Sequence, residues 1–321
     1  RGIMIQHLKR PQKRLILGMV LMVIASLVLA VQAACVKLAS KELSTNFIVF
    51  ARSLVNLIVL LVWVALSPTA PKFSELFKGK NYRYFAVRVI FGLAAVYCFY
   101  ISINHFSLAT GTLIFYSFPL FVPIISRIWL GVKLIRRLWW GLGIAFIGLL
   151  FVLRPGENLF NPLSFVPLVG AIFIATAFLA VRALRYTEPW ERITAYFFTF
   201  SVIVSAVVLY LSPDRVEEYS FYSLGLAGLA GFFAAIFQGL LTVAAKFAPM
   251  RFLSPFVYLS FIFGAVIQYF LWGESVAHGV ILGFCLIVVG TILLVFLYPK
   301  EDLQFAQKKK VAHKKTASKK K

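Results

Sequence analysis

The sequence predicts an all-α integral membrane protein with ten transmembrane helices, which form two inverted five-helix repeats and leave both termini in the cytoplasm. Three observations lead to this prediction: the composition, the distribution of basic residues, and the similarity of the two halves. The 321 residues are 61% hydrophobic and 14% charged, with a mean hydropathy of +0.89. A soluble domain is nearer half apolar and a quarter charged, so this composition indicates a membrane protein.

Ten stretches of the chain are apolar enough to cross a bilayer, which takes about 20 mostly apolar residues. Backbone groups in lipid must be satisfied within the protein, and these stretches do not alternate as barrel strands do, so each is predicted to be a helix. The fifth stretch is the shortest. The predicted spans are 15–36, 46–66, 84–104, 109–130, 138–154, 162–182, 192–212, 221–245, 253–273 and 277–298.

The basic residues predict the orientation of these spans, because cytoplasmic loops carry an excess of lysine and arginine. With a cytoplasmic N-terminus, 28 of the 33 lysine and arginine residues fall on the cytoplasmic side and four on the other, and Arg52 lies inside a span. This assignment counts Arg88 with the loop between spans two and three. An odd number of spans would place one basic terminus outside, so the count favours ten.

The chain is predicted to have four parts: a basic cytoplasmic arm (1–14), two five-helix repeats (15–154 and 155–298), and a disordered, lysine-rich cytoplasmic tail (299–321). A polybasic tail beside a last span can bind anionic lipid headgroups, or it can remain solvated. The net charge is +22, but no aromatic residue follows Phe305 to stack on a base, so nucleic acid is not an expected partner.

The two halves align when the chain is shifted by 142 residues. Because each half has five spans, an odd number, the two copies must enter the membrane from opposite sides. Such inverted repeats are typical of secondary transporters, in which alternating access opens a midplane site to each side in turn. The matching pairs are Tyr116 and Tyr258, Gly131 and Gly273, Gly141 and Gly283, and Gly148 and Gly290.

The polar residues of the loops do not indicate an enzyme. The four histidines are scattered, and no loop carries a Ser/His/Asp, Cys/His or paired-carboxylate set. The three cysteines all lie in apolar runs, where small packed thiols are expected rather than disulfides or metal ligands. We therefore expect no cofactor, no metal and no catalytic residue.

Several motifs carry a family resemblance over residues 15–298. They are VFARSL in the second span, ATGTLIFYSFPLFVPII in the fourth, FLSPFVYLSFIFGAVI in the ninth, and FLWGESVAHGVILGFCLIVVGTIL through the tenth. Together they resemble the drug/metabolite transporter superfamily, and within it the EamA-type ten-helix carriers. Many such carriers have Glu where Val132 stands in the first half.

The third, fourth, eighth and ninth helices are predicted to line a substrate pathway. Polar or aromatic residues recur on one face of the third and of the eighth, and Tyr116 and Tyr258 occupy matching places in the fourth and ninth, near prolines. Polar groups in lipid are costly and usually face a cavity or a partner. Packing is the alternative role for any single tyrosine. The predicted pathway residues are Tyr97, Tyr100, Asn104, Tyr116, Gln238, Thr242 and Tyr258, and Pro119 and Pro255 are predicted to interrupt their helices.

Two charged residues have open roles. Arg52 lies about six residues into the second span, where it would anchor substrate or gate the outer vestibule, or else reach the outer headgroups. Glu274 joins the ninth and tenth spans and is their only acid. It is a candidate for gating or proton coupling, although capping and hydration of the turn is the reading we favour.

The sequence therefore predicts a secondary transporter of the inner (plasma) membrane, monomeric or homodimeric, that moves a small metabolite by alternating access. The resemblance and the aromatic residues of the predicted pathway allow three classes of substrate: an amino acid, an S-adenosylmethionine-like cofactor, or an organic cation or drug. They allow transport in either direction. A channel-like facilitator is the first alternative, and a multispan enzyme is a weaker one. The driving force stays open among proton coupling, exchange and facilitated flow.

Overall fold

The computed structural model describes residues 10–105, 108–131, 135–153, 165–212, 220–273 and 278–297. Every regular element in these ranges is an α- or 3-10 helix, which confirms the all-helical prediction for this part of the chain. Nine of its helical stretches are long and apolar enough to cross a membrane. The predicted fifth span corresponds to a shorter apolar helix of 16 residues, Leu138–Leu153.

We number the helices by the predicted span that each occupies and divide the two interrupted spans into parts a and b. The bounds are α1 Arg10–Ala39, α2 Thr45–Leu66, α3 Tyr82–His105, α4a Leu108–Phe115, α4b Phe118–Leu130, α5 Leu138–Leu153, α6 Phe165–Leu184, α7 Trp190–Leu211, α8 Phe221–Phe247, α9a Met250–Leu253, α9b Leu259–Trp272 and α10 His278–Leu297. A 3-10 turn, Phe73–Glu75, lies between α2 and α3.

Short polar and glycine signals set several helix ends. Ser44 and Ser220 precede α2 and α8, and each side chain accepts a hydrogen bond from the backbone N–H three residues later, as N-cap serines do. Gly131 and Gly273 end α4b and α9b in the left-handed conformation, with φ of 63° and 65°. The two glycines are 142 residues apart, so matched positions of the two halves end their helices in the same way.

Helices of the first half pack mainly on helices of the second half. α1 packs on α8 and α9b, and α6 makes the equivalent contacts with α3 and α4b. α2 packs on α7, and α5 on α10, each against its own counterpart. The two halves therefore interlock, and neither half encloses a core of its own.

Glycines allow the closest of these contacts, between α5 and α10. A Cβ atom built on Gly148 would lie 2.6 Å from the carbonyl oxygen of Gly283, and one built on Gly290 would lie 2.6 Å from that of Gly141. Close backbone approach at small residues is a main source of helix association in lipid, because the hydrophobic effect does not drive helices together there. The four aligned glycines therefore have a packing role at the α5–α10 contact.

Replacement of Gly148 by alanine is expected to destabilise the protein, because the new methyl group would overlap the backbone of α10. Overpacking of this kind costs about 1–3 kcal/mol. Thermal unfolding of the purified protein in detergent measures the effect.

Gly143→Ala is the matched control on the same helix, because a Cβ there would meet nothing within 4 Å. Alanine is the better helix former, so this change should leave the midpoint unchanged or raise it. Equal midpoints for the two variants would contradict the packing role of Gly148.

Candidate functional site

The fourth and ninth spans are each interrupted in their first half. A turn at Tyr116 and Ser117 separates α4a from α4b, and the 3-10 segment Ser254–Tyr258 separates α9a from α9b. Pro119 and Pro255 lie in the first turn after each break, where proline fits well because it lacks a backbone N–H to donate. The breaks free backbone carbonyls within the membrane, and these carbonyls need donors from elsewhere.

Hydroxyl groups from neighbouring helices supply the donors. The Tyr258 hydroxyl donates to the carbonyl oxygen of Tyr116 at 2.9 Å, and the Tyr258 side chain is fully buried. The Ser26 hydroxyl of α1 lies 2.8 Å from the carbonyl oxygen of Phe256 and also reaches that of Met22 in its own helix. The two breaks are thus joined to each other and to α1.

The Tyr116 ring lies among other aromatic rings at this crossing. Its centroid is 5.0 Å from that of Phe261, 5.7 Å from Phe115, 6.1 Å from Phe118 and 6.5 Å from Phe99. Aromatic pairs at these distances contribute about 0.5–1.5 kcal/mol each beyond the area they bury. We name this group the aromatic crossing, and it joins α3, α4 and α9.

A second polar group, which sequence reasoning missed, centres on Arg88 of α3. Arg88 is 2% exposed and donates from Nη2 to Oε1 of Gln238 on α8, at 2.9 Å. Its guanidinium carbon lies 3.9 Å from the centre of the Phe197 ring of α7, a cation–π contact. Its Nε and Nη1 atoms are buried without a hydrogen-bond partner. We name Arg88, Gln238 and Phe197 the arginine cluster.

Arg88, counted with the loop between spans two and three as part of its flank, lies six residues inside α3 and packs on Phe197 of α7. It is therefore part of the helix and not of the loop itself. The sequence contained one indication that Arg88 lies within a helix, namely its position inside the predicted span 84–104. Its partners Phe197 and Gln238 are more than 100 residues away in sequence, so their contact could not be inferred from spacing. Phe197 belongs to a buried apolar cluster, whose other members are Leu60, Val64, Leu76, Val89, Leu93, Ala195, Phe198 and Ala235.

The other predicted residues are divided between these groups and the helix contacts. Arg52 is half-buried, and its backbone packs on α8, with its carbonyl oxygen 3.0 Å from a Cβ built on Gly231. Thr242 is buried and donates its hydroxyl to the Gln238 carbonyl of its own helix, at 2.6 Å. Tyr97 is half-buried in α3. The side chains of Tyr100 and Asn104, and all of Glu274, lie outside the described residues.

The two ends of the bundle each carry contacts that join the two halves. At one end, Glu188 accepts the backbone N–H of Lys80 and pairs with Arg192, both at 2.6 Å. Arg192 also donates from Nε and Nη2 to the carbonyl oxygen of Glu75, at 3.0 and 2.8 Å. We name these contacts the Glu188 latch. The latch ties the α2–α3 loop to the α6–α7 turn.

At the opposite end, Glu42 lies against the N-terminus of α8 and accepts hydrogen bonds from the hydroxyls of Ser220, at 2.6 Å, and Ser223. The Asn46 amide donates to the Ser212 hydroxyl nearby, at 3.1 Å. We name these contacts the Glu42 latch. The hydroxyls of Ser220 and then Ser223 hold the pKa of the Glu42 carboxyl below its ordinary value.

A small crevice at the Glu188 end opens between α4b, α5, α9a and α10. It contains none of the predicted pathway residues, and its lining is apolar except for one arginine. The lining residues are Pro123, Ile135, Leu138, Trp139, Leu142, Arg251 and Leu294.

Comparison with known proteins gives a consistent result. The model of the EamA-like transporter family matches residues 16–154 and again 163–296. A pseudopaline exporter of Pseudomonas aeruginosa is 27% identical over 278 residues, which cover 86% of this chain and 95% of the exporter. An S-adenosylmethionine uptake transporter of Rickettsia bellii is 26% identical over 194 residues, or 58% of this chain and 63% of that transporter.

A similar fold is present among solved structures. One crystal structure superposes with a TM-score of 0.75 at 16% identity and covers 87% of this chain and 98% of the other. At this identity, the likeness concerns the fold alone.

The Glu42 latch is expected to depend on pH. Because the folded-state pKa is lowered, the carboxylate stabilises the fold above the ordinary glutamate pKa of about 4.3, and this stabilisation is lost as the pH falls through the folded-state value. Glu42→Gln should therefore lower the unfolding midpoint at neutral pH, and its difference from the wild type should shrink in acid.

The same change at Glu75, whose exposed side chain is not part of either latch, serves as the control. A difference between wild type and Glu42→Gln that stays constant from neutral to strongly acidic pH would contradict the proposed hydrogen bonds.

Proposed function

Because the chain belongs to the EamA-like transporter family, it is a multi-pass membrane transporter of small metabolites, and we propose that it works as a secondary carrier by alternating access. The observation that carries this proposal is the equivalence of the helix contacts in the two halves. α1 meets α8 and α9b as α6 meets α3 and α4b. Two equivalent sets of contacts allow two related arrangements, one open to each side.

We propose ten spans in two inverted repeats, 15–154 and 155–298, with the arm 1–14 and the tail 299–321 in the cytoplasm. The two matches of the family model, at 16–154 and 163–296, support this division. The short helix α5, which occupies the fifth span, brings the number of spans to ten in this proposal, and its close contact with α10 supports its place in the membrane. From the distribution of basic residues, we propose that the Glu188 latch faces the cytoplasm.

The substrate pathway is proposed to run between the aromatic crossing and the arginine cluster. Interrupted helices near the midplane are common at transporter binding sites, because the break exposes carbonyls and helix ends to the solute. Among the predicted residues, Tyr116 belongs to the aromatic crossing and Gln238 to the arginine cluster, and Tyr258 donates its hydroxyl to the Tyr116 carbonyl. Arg52, Tyr97, Tyr100, Asn104 and Thr242 remain proposed pathway residues, and Glu274 remains a proposed gating or proton-linked residue, with turn capping as its alternative.

The proposed substrate is an amino acid, an S-adenosylmethionine-like cofactor, or an organic cation. The aromatic crossing could bind flat or cationic groups by stacking and cation–π contacts. Relatives named as a pseudopaline exporter and an S-adenosylmethionine uptake transporter support a small polar metabolite. We place the protein in the inner (plasma) membrane as a monomer or homodimer, with the tail near anionic lipids.

Counterflow with the purified protein in liposomes tests the carrier proposal. Vesicles loaded with one unlabelled compound should accumulate its labelled form transiently against the gradient, and the rate should saturate. The test compounds are amino acids, S-adenosylmethionine and an organic cation such as tetraphenylphosphonium. Unsaturable flow without counterflow would identify a channel, and chemical turnover of a compound would identify an enzyme.

Replacement of Tyr258 by phenylalanine is expected to slow transport. The change removes the hydroxyl that donates to the Tyr116 carbonyl, and loss of such a hydrogen bond costs about 0.5–1.5 kcal/mol. If only one access state makes this contact, the equilibrium between the states shifts by about 2- to 12-fold. The initial rate of counterflow measures the effect at equal amounts of reconstituted protein.

Tyr269→Phe is the matched control, because Tyr269 lies in the same span but is 53% exposed. It should transport at the wild-type rate. A wild-type rate for Tyr258→Phe would remove the ninth span from the proposed pathway.

A further inference from the structure

The charges buried in the described segments are unbalanced in favour of arginine. Four arginines are at most 9% exposed, whereas only two acids are buried to that extent. The arginines are Arg88, Arg182, Arg185 and Arg251, and the acids are Glu188 and Glu191. Charges held away from water usually pair with one another or mark the path of a substrate or ion. An excess of buried cations therefore favours a solute that carries negative charge.

Arg88 is the member of this set whose surroundings are best defined. Its contacts, Gln238 and Phe197, are both neutral, so neither balances its charge. Two of its three nitrogens, Nε and Nη1, have no hydrogen-bond partner, and the residue is 98% buried. A guanidinium can be neither deprotonated at physiological pH nor left unsatisfied without a large cost.

The guanidinium retains a complete binding edge for a carboxylate. Its planar fork has two edges, one formed by Nε and Nη2 and the other by Nη1 and Nη2, and each can bind a carboxylate through two parallel hydrogen bonds. Nη2 carries two hydrogens, and Gln238 accepts one of them. Whichever hydrogen Gln238 takes, the other completes an edge with a free nitrogen. The contact with Gln238 thus holds the guanidinium in place and leaves one of its two-nitrogen edges without a hydrogen-bond partner.

Gly92, one turn further along α3, keeps the space beside the guanidinium free. A Cβ atom built on Gly92 would lie 2.8 Å from Nη1 of Arg88 and 2.8 Å from the Phe197 ring. Any larger residue would therefore push the guanidinium off the ring.

We propose that Arg88 binds a carboxylate group of the transported metabolite, and hence that the substrates are carboxylate-bearing compounds such as α-amino acids. This inference rests on the proposed transport function. A carboxylate suits the site better than a phosphate, because one guanidinium balances its single charge, whereas a phosphate carries nearly two. Decarboxylated amines and simple organic cations are then poor substrates.

Paired probes that differ only by the carboxylate test this proposal in liposomes. The pairs are histidine with histamine, methionine with 3-methylthiopropylamine, and S-adenosylmethionine with its decarboxylated form. The wild type should transport the acid member of at least one pair faster by at least about tenfold, as expected for a bidentate charge-assisted contact. Arg88→Gln should abolish that preference.

Arg83→Gln is the matched control, because Arg83 lies on the same helix and is exposed. It should keep the preference of the wild type. Arg88→Lys retains the charge without the planar fork, so it should fold even if Arg88→Gln does not and should lose most of the preference. Equal transport of both members by the wild type, or an unchanged preference in Arg88→Gln or Arg88→Lys, would overturn the proposal while leaving transport intact.

A binding measurement separates this inference from the transport function. Acetate at constant ionic strength should raise the unfolding midpoint of the wild type and of Arg83→Gln relative to chloride, but not that of Arg88→Gln or Arg88→Lys. If acetate has this effect but none of the paired probes is transported into liposomes, the combination would support the Arg88 site and count against transport of these compounds. No acetate effect on the wild type, an equal effect on all four proteins, or an effect of phosphate alone would overturn the site.

Discussion

The need to satisfy every polar group within lipid is the constraint on which the rest of the structure depends. The fourth and ninth spans are broken, and hydroxyl groups donate to carbonyls at both breaks. The Tyr258 hydroxyl donates to the Tyr116 carbonyl across the two halves, and the Ser26 hydroxyl of α1 binds the Phe256 carbonyl. These hydrogen bonds hold the two breaks at one crossing, and the helices that would line a solute pathway converge there.

The same constraint accounts for the unusual position of Arg88. A cation inside the bundle is costly unless it is paired and hydrogen-bonded, and Gln238 and Phe197 satisfy the guanidinium only in part. A carboxylate-bearing solute would supply the missing hydrogen-bond partners of the Arg88 guanidinium during transport. Release of the solute would leave the guanidinium incompletely satisfied again. In that case the binding energy of the solute helps to select the conformation that carries it.

The sequence predicted the helical fold and the approximate spans, because long apolar runs and basic loops are local signals. It also predicted the residues Tyr116, Tyr258 and Gln238, which lie in the two polar groups of the structure. Contacts between distant segments could not be predicted in this way. Arg88 was grouped with loop charges, since nothing near it in sequence reveals the ring of Phe197 or the amide of Gln238. The latches depend on similar contacts between remote loops.

Alternating access requires that one end of the bundle opens as the other closes, and distances between spin labels measure this opening. One label pair, at Lys78 and Tyr186, spans the Glu188 latch, and another, at Lys41 and Phe221, spans the Glu42 latch; all four side chains are exposed. Electron paramagnetic resonance on both pairs, with and without a transported solute, should show one distance lengthen as the other shortens. Simultaneous lengthening at both ends, as in an open channel, would contradict alternating access.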